Sequence, residues 1–336
     1  MICPHCTTNL KYKDRGGKTC SSCRKRFAVE PKDNPLRLHD VKLQRLSQQL
    51  SGNGLYRYTV NQLYFNASRK AVRGRGCGPV AALTLMMFPV VILTVTALAA
   101  DLPILLLPVA LIVLGWTIYF AYRISTRHTR RIDPPMDRTS FHTVAVEGWR
   151  QTYGQDLPGL VRDRELSNLP EHSSTPVLVV LAPKRSALAA LRINDVVNRH
   201  RVTLAYSFDQ VPPDVPIALL HDVSVAGYHF AGQARATFGQ RVVTDLTPRP
   251  KAARTAAAAL RLRQPRAADD VLGWLRASRL LDDDEVTWLA KGWWTPIESV
   301  RPSNLINRVT AAVNRNADPD ERAAAAVGFM SWPTAR

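Results

Sequence analysis

Residues 79–122 constrain this chain more than any other stretch. Pro79 to Ala100 runs for 22 residues without an ionisable side chain. As a helix it would reach about 33 Å at about 1.5 Å per residue, enough for a bilayer's hydrocarbon core. Asp101-Leu102-Pro103 interrupts the run, and Ile104 to Tyr122 supplies a second uncharged stretch. The pattern predicts a two-helix transmembrane hairpin, 79–100 and 104–122, because a soluble core rarely needs two such runs back to back. Arg69, Lys70, Arg73 and Arg75 precede it, Arg123, Arg127, Arg130 and Arg131 follow it, and Asp101 alone is charged between. That asymmetry predicts an inner-membrane protein with both termini in the cytoplasm.

Ahead of the apolar stretch, Cys3-Pro-His-Cys6 is followed after 13 residues by Cys20-Ser-Ser-Cys23. Two close thiol pairs on either side of a returning segment suit a tetrahedral ion, each Cys-x-x-Cys turn offering two sulfurs. Residues 1–30 resemble a zinc ribbon, with Cys3, Cys6, Cys20 and Cys23 in the ligand positions and Phe27 beneath the second knuckle. The resemblance implies a structural Zn2+, since four sulfurs leave no open position for substrate. Cys3-Pro-His-Cys6 also has the composition of oxidising thiol oxidoreductases, but no strand can precede residue 3 to build that site. His5 is read as a solvent-facing knuckle residue.

Residues 31–78 read as a helical connector. Asp40 can cap a helix to about Leu50, and Thr59 with Gln62 has the form of a capping box. Residues 123–174 read as a helical linker region, with a helix from Ser140 to about Tyr153. Residues 175–246 alternate in the α/β manner: strands at Pro176–Leu181, Val202–Tyr206, Ile217–Leu220 and Arg241–Leu246, helices at Ser186–Val197 and Tyr228–Phe238. The expected fold is therefore a multidomain membrane protein with a small Rossmann-like α/β domain and a helical carboxyl-terminal segment. No Gly-rich phosphate turn follows the first strand, so dinucleotide binding is not supported.

His221, Asp222, Ser224 and Gly227 should fall at the carboxyl ends of the strands, where open α/β sheets gather ligands. The stretch 221–230 is similar to the Asp-x-Asp-Pro-x-Gly-Tyr motif of TOPRIM domains, with Asp222, Gly227 and Tyr228 matching. Ser224 stands in place of the second aspartate and Val225 in place of the proline, so the resemblance implies a degenerate, binding domain. Metal-assisted phosphoryl transfer needs several carboxylates, and here one remains. The plainer reading is a strand-to-helix turn, with Asp222 capping and Gly227 allowing a tight bend.

Residues 247–336 open with a run of cations, Arg249, Lys251, Arg254, Arg261, Arg263 and Arg266, with no acid among them. With a formal charge of +18, the chain is suited to a polyanion, either nucleic acid or an anionic leaflet. Asp269, Asp270 and Asp282 to Glu285 read as helix-start charges. Trp274, Trp288, Trp293, Trp294 and Trp332 read as packing residues. The expectation is a membrane-anchored, non-catalytic module that binds protein or nucleic acid, homo-oligomers being allowed. The alternative is an enzyme acting on phosphate esters through Asp222.

Overall fold

The computed structural model describes residues 1–73, 114–116, 118–119, 131–166 and 169–316. Two amino-terminal helices, α1 (Asp40–Ser51) and α2 (Val60–Arg73), pack against each other. α1 stops at Gly52, whose left-handed backbone (φ 55°) lets its N–H return to the Gln48 carbonyl. α2 starts in a capping box: Gln62 N–H donates to the Thr59 hydroxyl at 3.2 Å, and Thr59 N–H donates to Gln62 Oε1 at 3.1 Å.

The helix α3 comprises Arg138–Phe141, a π turn His142–Glu147, and Gly148–Tyr153. Its cap is the Asp137 carboxylate, which accepts from Ser140 N–H at 2.8 Å. α3 packs on α1 and α2, so that Leu43, Leu63, Tyr64, Phe141 and Trp149 share one apolar core. Tyr64 donates to the Met136 carbonyl at 2.7 Å, and a two-residue parallel ladder joins β1 (Tyr58–Thr59) to β2 (Leu160–Val161). The connector and the linker of the sequence pattern thus meet in one core.

The central sheet is parallel, in the order β4 (Val202–Ala205), β3 (Leu178–Leu181), β5 (Ile217–Leu219), β6 (Val242–Asp245). β3 is buried on both faces, which is why its sequence is uniformly apolar. Leu178 and Val180 join a core with α4 (Arg185–Arg192), α5 (Val196–Arg199) and the last described helix, Pro302–Asn316. Val179 and Leu181 face α6 (Val225–Phe238) on the other side. The result is three layers, helix, sheet and helix.

Beyond the sheet come α7 (Pro250–Thr255), β7 (Leu262–Arg263), α8 (Asp269–Ala277), α9 (Asp283–Ala290), β8 (Trp293–Trp294) and α10, the helix Pro302–Asn316. α9 begins in a capping box between Asp282 and Glu285, and α8 begins at its two aspartates. α8 lies on α6, with the Trp274 ring over Gly232, where a Cβ would sit 2.3 Å from the indole. Trp332 lies outside the described residues.

The membrane expectation is corrected here. Among the described residues no helix is long and apolar enough to cross a bilayer. α10, with 15 residues, spans about 22 Å, short of the roughly 30 Å required. The proposed spans 79–100 and 104–122 fall outside the described residues except 114–116 and 118–119, which are helical. The membrane-protein fold class, the inner-membrane placement and the cytoplasmic orientation of the termini lose their support with it.

Candidate metal centre and the carboxyl edge of the sheet

Two knuckles of the same build bring the cysteines together. In the first, Thr7 N–H donates to the Cys3 carbonyl, and in the second Arg24 N–H donates to the Cys20 carbonyl. Thr7 and Arg24 both take left-handed backbones, φ 59° and 57°, to close the turns. Backbone N–H groups of His5 and Cys23 point at the sulfurs of Cys3 and Cys20, each at 3.5 Å. All four Sγ atoms lie within 4.8 Å of one another, and they can hold a metal ion. Among the described residues this is the one such group of cysteine, histidine and carboxylate side chains.

The site's electrostatics favour thiolate unevenly. Hydrogen bonds from the Thr8 side chain and backbone pull the Cys6 thiol down to about 6. At Cys23 a backbone bond at Lys25 favours thiolate, but burial and the neighbouring thiols push it up to about 11. His5 lies outside the sulfur set, its Nε2 donating to the Arg26 carbonyl at 2.9 Å.

The ribbon's exit is held by a residue to which the sequence pattern assigns another role. Asp40 is fully buried, and its carboxylate accepts from Ala28 N–H at 2.7 Å, from Val29 N–H at 2.8 Å and from the Tyr153 hydroxyl. Burial, reinforced by that carboxylate, pushes the Tyr153 hydroxyl well above its usual range. The N-cap position of α1 belongs to His39. An acid at a helix start reads as a cap from sequence, and nothing local marks it as the anchor of a distant turn.

At the sheet's carboxyl edge, His221, Asp222, Ser224 and Gly227 do come together, as a strand-to-helix turn. Ser224 is the N-cap of α6, accepting from Gly227 N–H at 3.0 Å. Gly227 has no room for a side chain, since a Cβ would lie 2.1 Å from the Asp222 carbonyl. His221 is fully buried, with Nδ1 2.7 Å from the Asp222 carbonyl and Nε2 3.1 Å from Asp245 Oδ2. Although burial opposes it, the bond to His221 holds the Asp245 carboxyl below its usual range.

Asp222 is already engaged on both oxygens. Lys184 Nζ lies 2.5 Å from Oδ2, and Ile297 N–H donates to Oδ1 at 2.9 Å. The order β4-β3-β5-β6 puts the sheet's topological switch between β3 and β5, where α/β folds ordinarily admit ligands. Here the chain's own segment 295–300 occupies that edge. Thr295 bridges to Val223, and Glu298 accepts from the Ser186 hydroxyl at 2.7 Å. Gln62 and Arg69 on α2 donate to the carbonyls of Val300 and Ser299. Lys184 and Glu298 had no motif to reveal them.

The cationic run from 249 to 266 is largely paired. Arg249 meets Glu285 at 2.6 Å and Asp282 at 3.5 Å, Arg254 meets Asp284 at 3.8 Å, and Arg266 meets Asp269 at 2.5 Å. Arg263 is buried, donating to the Lys291 carbonyl at 2.9 Å beneath the Trp293 ring. Arg261 donates to the Arg254 carbonyl, and Lys251 is exposed. No protein-family profile, curated protein or solved structure matches the chain.

Proposed function

We propose that the chain is a non-catalytic binding protein whose amino-terminal ribbon is folded by one structural Zn2+ on Cys3, Cys6, Cys20 and Cys23. The observation that carries this reading is the sulfur geometry. A tetrahedron with Zn–S bonds of about 2.3 Å has edges of about 3.8 Å. Cys3 and Cys23, and likewise Cys6 and Cys20, are 3.8 Å apart. Four sulfurs complete the coordination, so bound zinc would supply fold and not chemistry. The engagement of Asp222 by Lys184 and Ile297 supports the same view of the α/β sheet as a scaffold.

The test is zinc content of the full chain. About one Zn2+ per chain is expected, falling to near none in Cys20→Ser, while Asp222→Asn leaves zinc content unchanged. A chain that carries no zinc, or carries iron in its place, overturns the reading.

A further inference from the structure

The zinc-folded ribbon and its exit, residues 1–37, carry a concentration of exposed positive charge that is not ion-paired. Eight Lys and Arg side chains in residues 1–37 are exposed, and none of them forms an ion pair there. Arg15, the ninth, is buried against Glu30 at 3.3 Å. Two carboxylates, Asp14 and Asp33, remain to oppose the eight, and Asp14 is half-buried, accepting from Lys11 N–H at 3.0 Å. Lys11, Lys13 and Lys18 project from the loop between the knuckles, and Arg24, Lys25 and Arg26 from the second knuckle. Tyr12 stands among them, 55 % exposed, with Lys32 Nζ 3.8 Å from its ring centroid.

We propose that this face, centred on Tyr12 and Lys32, binds single-stranded nucleic acid. Phosphates are tracked by flexible cations, and a base stacks on the exposed ring, a combination that needs no sequence readout. An anionic leaflet would call for an apolar wedge as well as charge. On the ribbon Ile2 and Tyr12 are the exposed large apolar side chains, too few for such a wedge. An acidic peptide would use the cations and leave the ring idle.

The inference rests on the zinc-folded ribbon, so zinc content is measured on every variant. The full chain is titrated into a fluorescein-labelled oligothymidylate and anisotropy is followed across salt concentrations. Lys11→Gln/Lys13→Gln/Lys32→Gln should weaken binding and flatten the log–log salt slope by about 0.7 for each phosphate that is no longer neutralised. Tyr12→Ala should weaken it at least about fivefold and Tyr12→Phe less than about twofold, as stacking requires. Arg254→Gln/Arg261→Gln/Arg266→Gln should leave it unchanged. Variants that hold zinc yet bind as the parent does would overturn the inference and spare the zinc reading. Loss of binding in the Arg254 set alone, indifference to Tyr12→Ala, or equal competition by polyglutamate or phosphatidylserine vesicles would also overturn it.

Discussion

The ribbon and the segment from Arg249 to Arg266 are both basic, but the fold treats them in opposite ways. The later segment has six cations and no acid in its own sequence, whereas residues 1–37 mix nine cations with three acids. In the structure the ranking reverses. Acids from α8 and α9, Asp269, Asp282, Asp284 and Glu285, reach back onto Arg249, Arg254 and Arg266. The ribbon has no such partner element among the described residues, and its one internal pair is buried. Charge counted along the chain is therefore a poor guide to field; what decides it is which element packs alongside.

The two regions also differ in what holds them, and removing metal should separate them most sharply. The ribbon's own apolar core is Leu10 with the thiols around it, too little to fold alone. Metal binding of order 10 kcal/mol on the four cysteines would then be its folding energy. Hydrogen exchange on the full chain with a chelator should show residues 1–27 losing protection. Leu178–Leu181, buried between two helical layers, should stay protected. Loss of protection in the strand as well would make ribbon and sheet one cooperative unit and end the distinction.

How much of this was legible in the sequence follows the same division between local and distant. Cysteine spacing located the four sulfurs that can hold a metal ion, and short strand-forming runs located the four strands of the central sheet, because both signals are complete within a few residues. The Thr59–Gln62 box was legible for the same reason. What pattern could not supply is partnership across distance. Tyr64 finds the Met136 carbonyl, Asp40 the turn at Ala28, and Asp222 the amide of Ile297. The membrane reading rests on local hydropathy and flanking charge, and among the described residues no helix is long and apolar enough to cross a bilayer.

Glu285 offers the next largest effect, because it is where the paired segment is fastened. Its carboxylate, 3 % exposed, accepts from Arg249, from Lys251 N–H at 3.0 Å and from Asp282 N–H at 3.3 Å. Glu285→Ala should cost about 2 to 3 kcal/mol by removing charge-assisted bonds and a helix cap together. Against burial, the Arg249 guanidinium and these N–H groups hold the carboxyl below its usual range. A carboxyl lowered in the folded state stabilises above its unfolded value, near pH 4.3. That stability is lost as pH falls through the lower folded value. The indole N–H NMR signal of Trp288, on α9 and away from the thiols, should show the acid transition in the parent, with a weaker pH dependence in Glu285→Gln. An unchanged acid transition would mean the pair contributes nothing there.

The smallest effect is expected on the surface of the paired segment, and it tests the comparison from both sides. Arg254 and Arg266 and their partners are all exposed, from 43 % to 84 %. Such pairs are worth about 0 to 1 kcal/mol, so Arg254→Gln/Arg266→Gln should shift the thermal midpoint very little. Arg263→Gln should not behave so mildly, because its buried guanidinium bonds the Lys291 carbonyl under Trp293. The converse change is the more telling. Asp269→Asn/Asp284→Asn leaves the cations in place and removes the carboxylates that face them. If pairing is what silences this segment, retention on a heparin column at low salt should rise with that double substitution and fall back when Arg254→Gln/Arg266→Gln is added. Retention that ignores both changes would place the chain's polyanion affinity outside this segment, with residues 1–37, where eight exposed cations form no ion pair, as the next region to test.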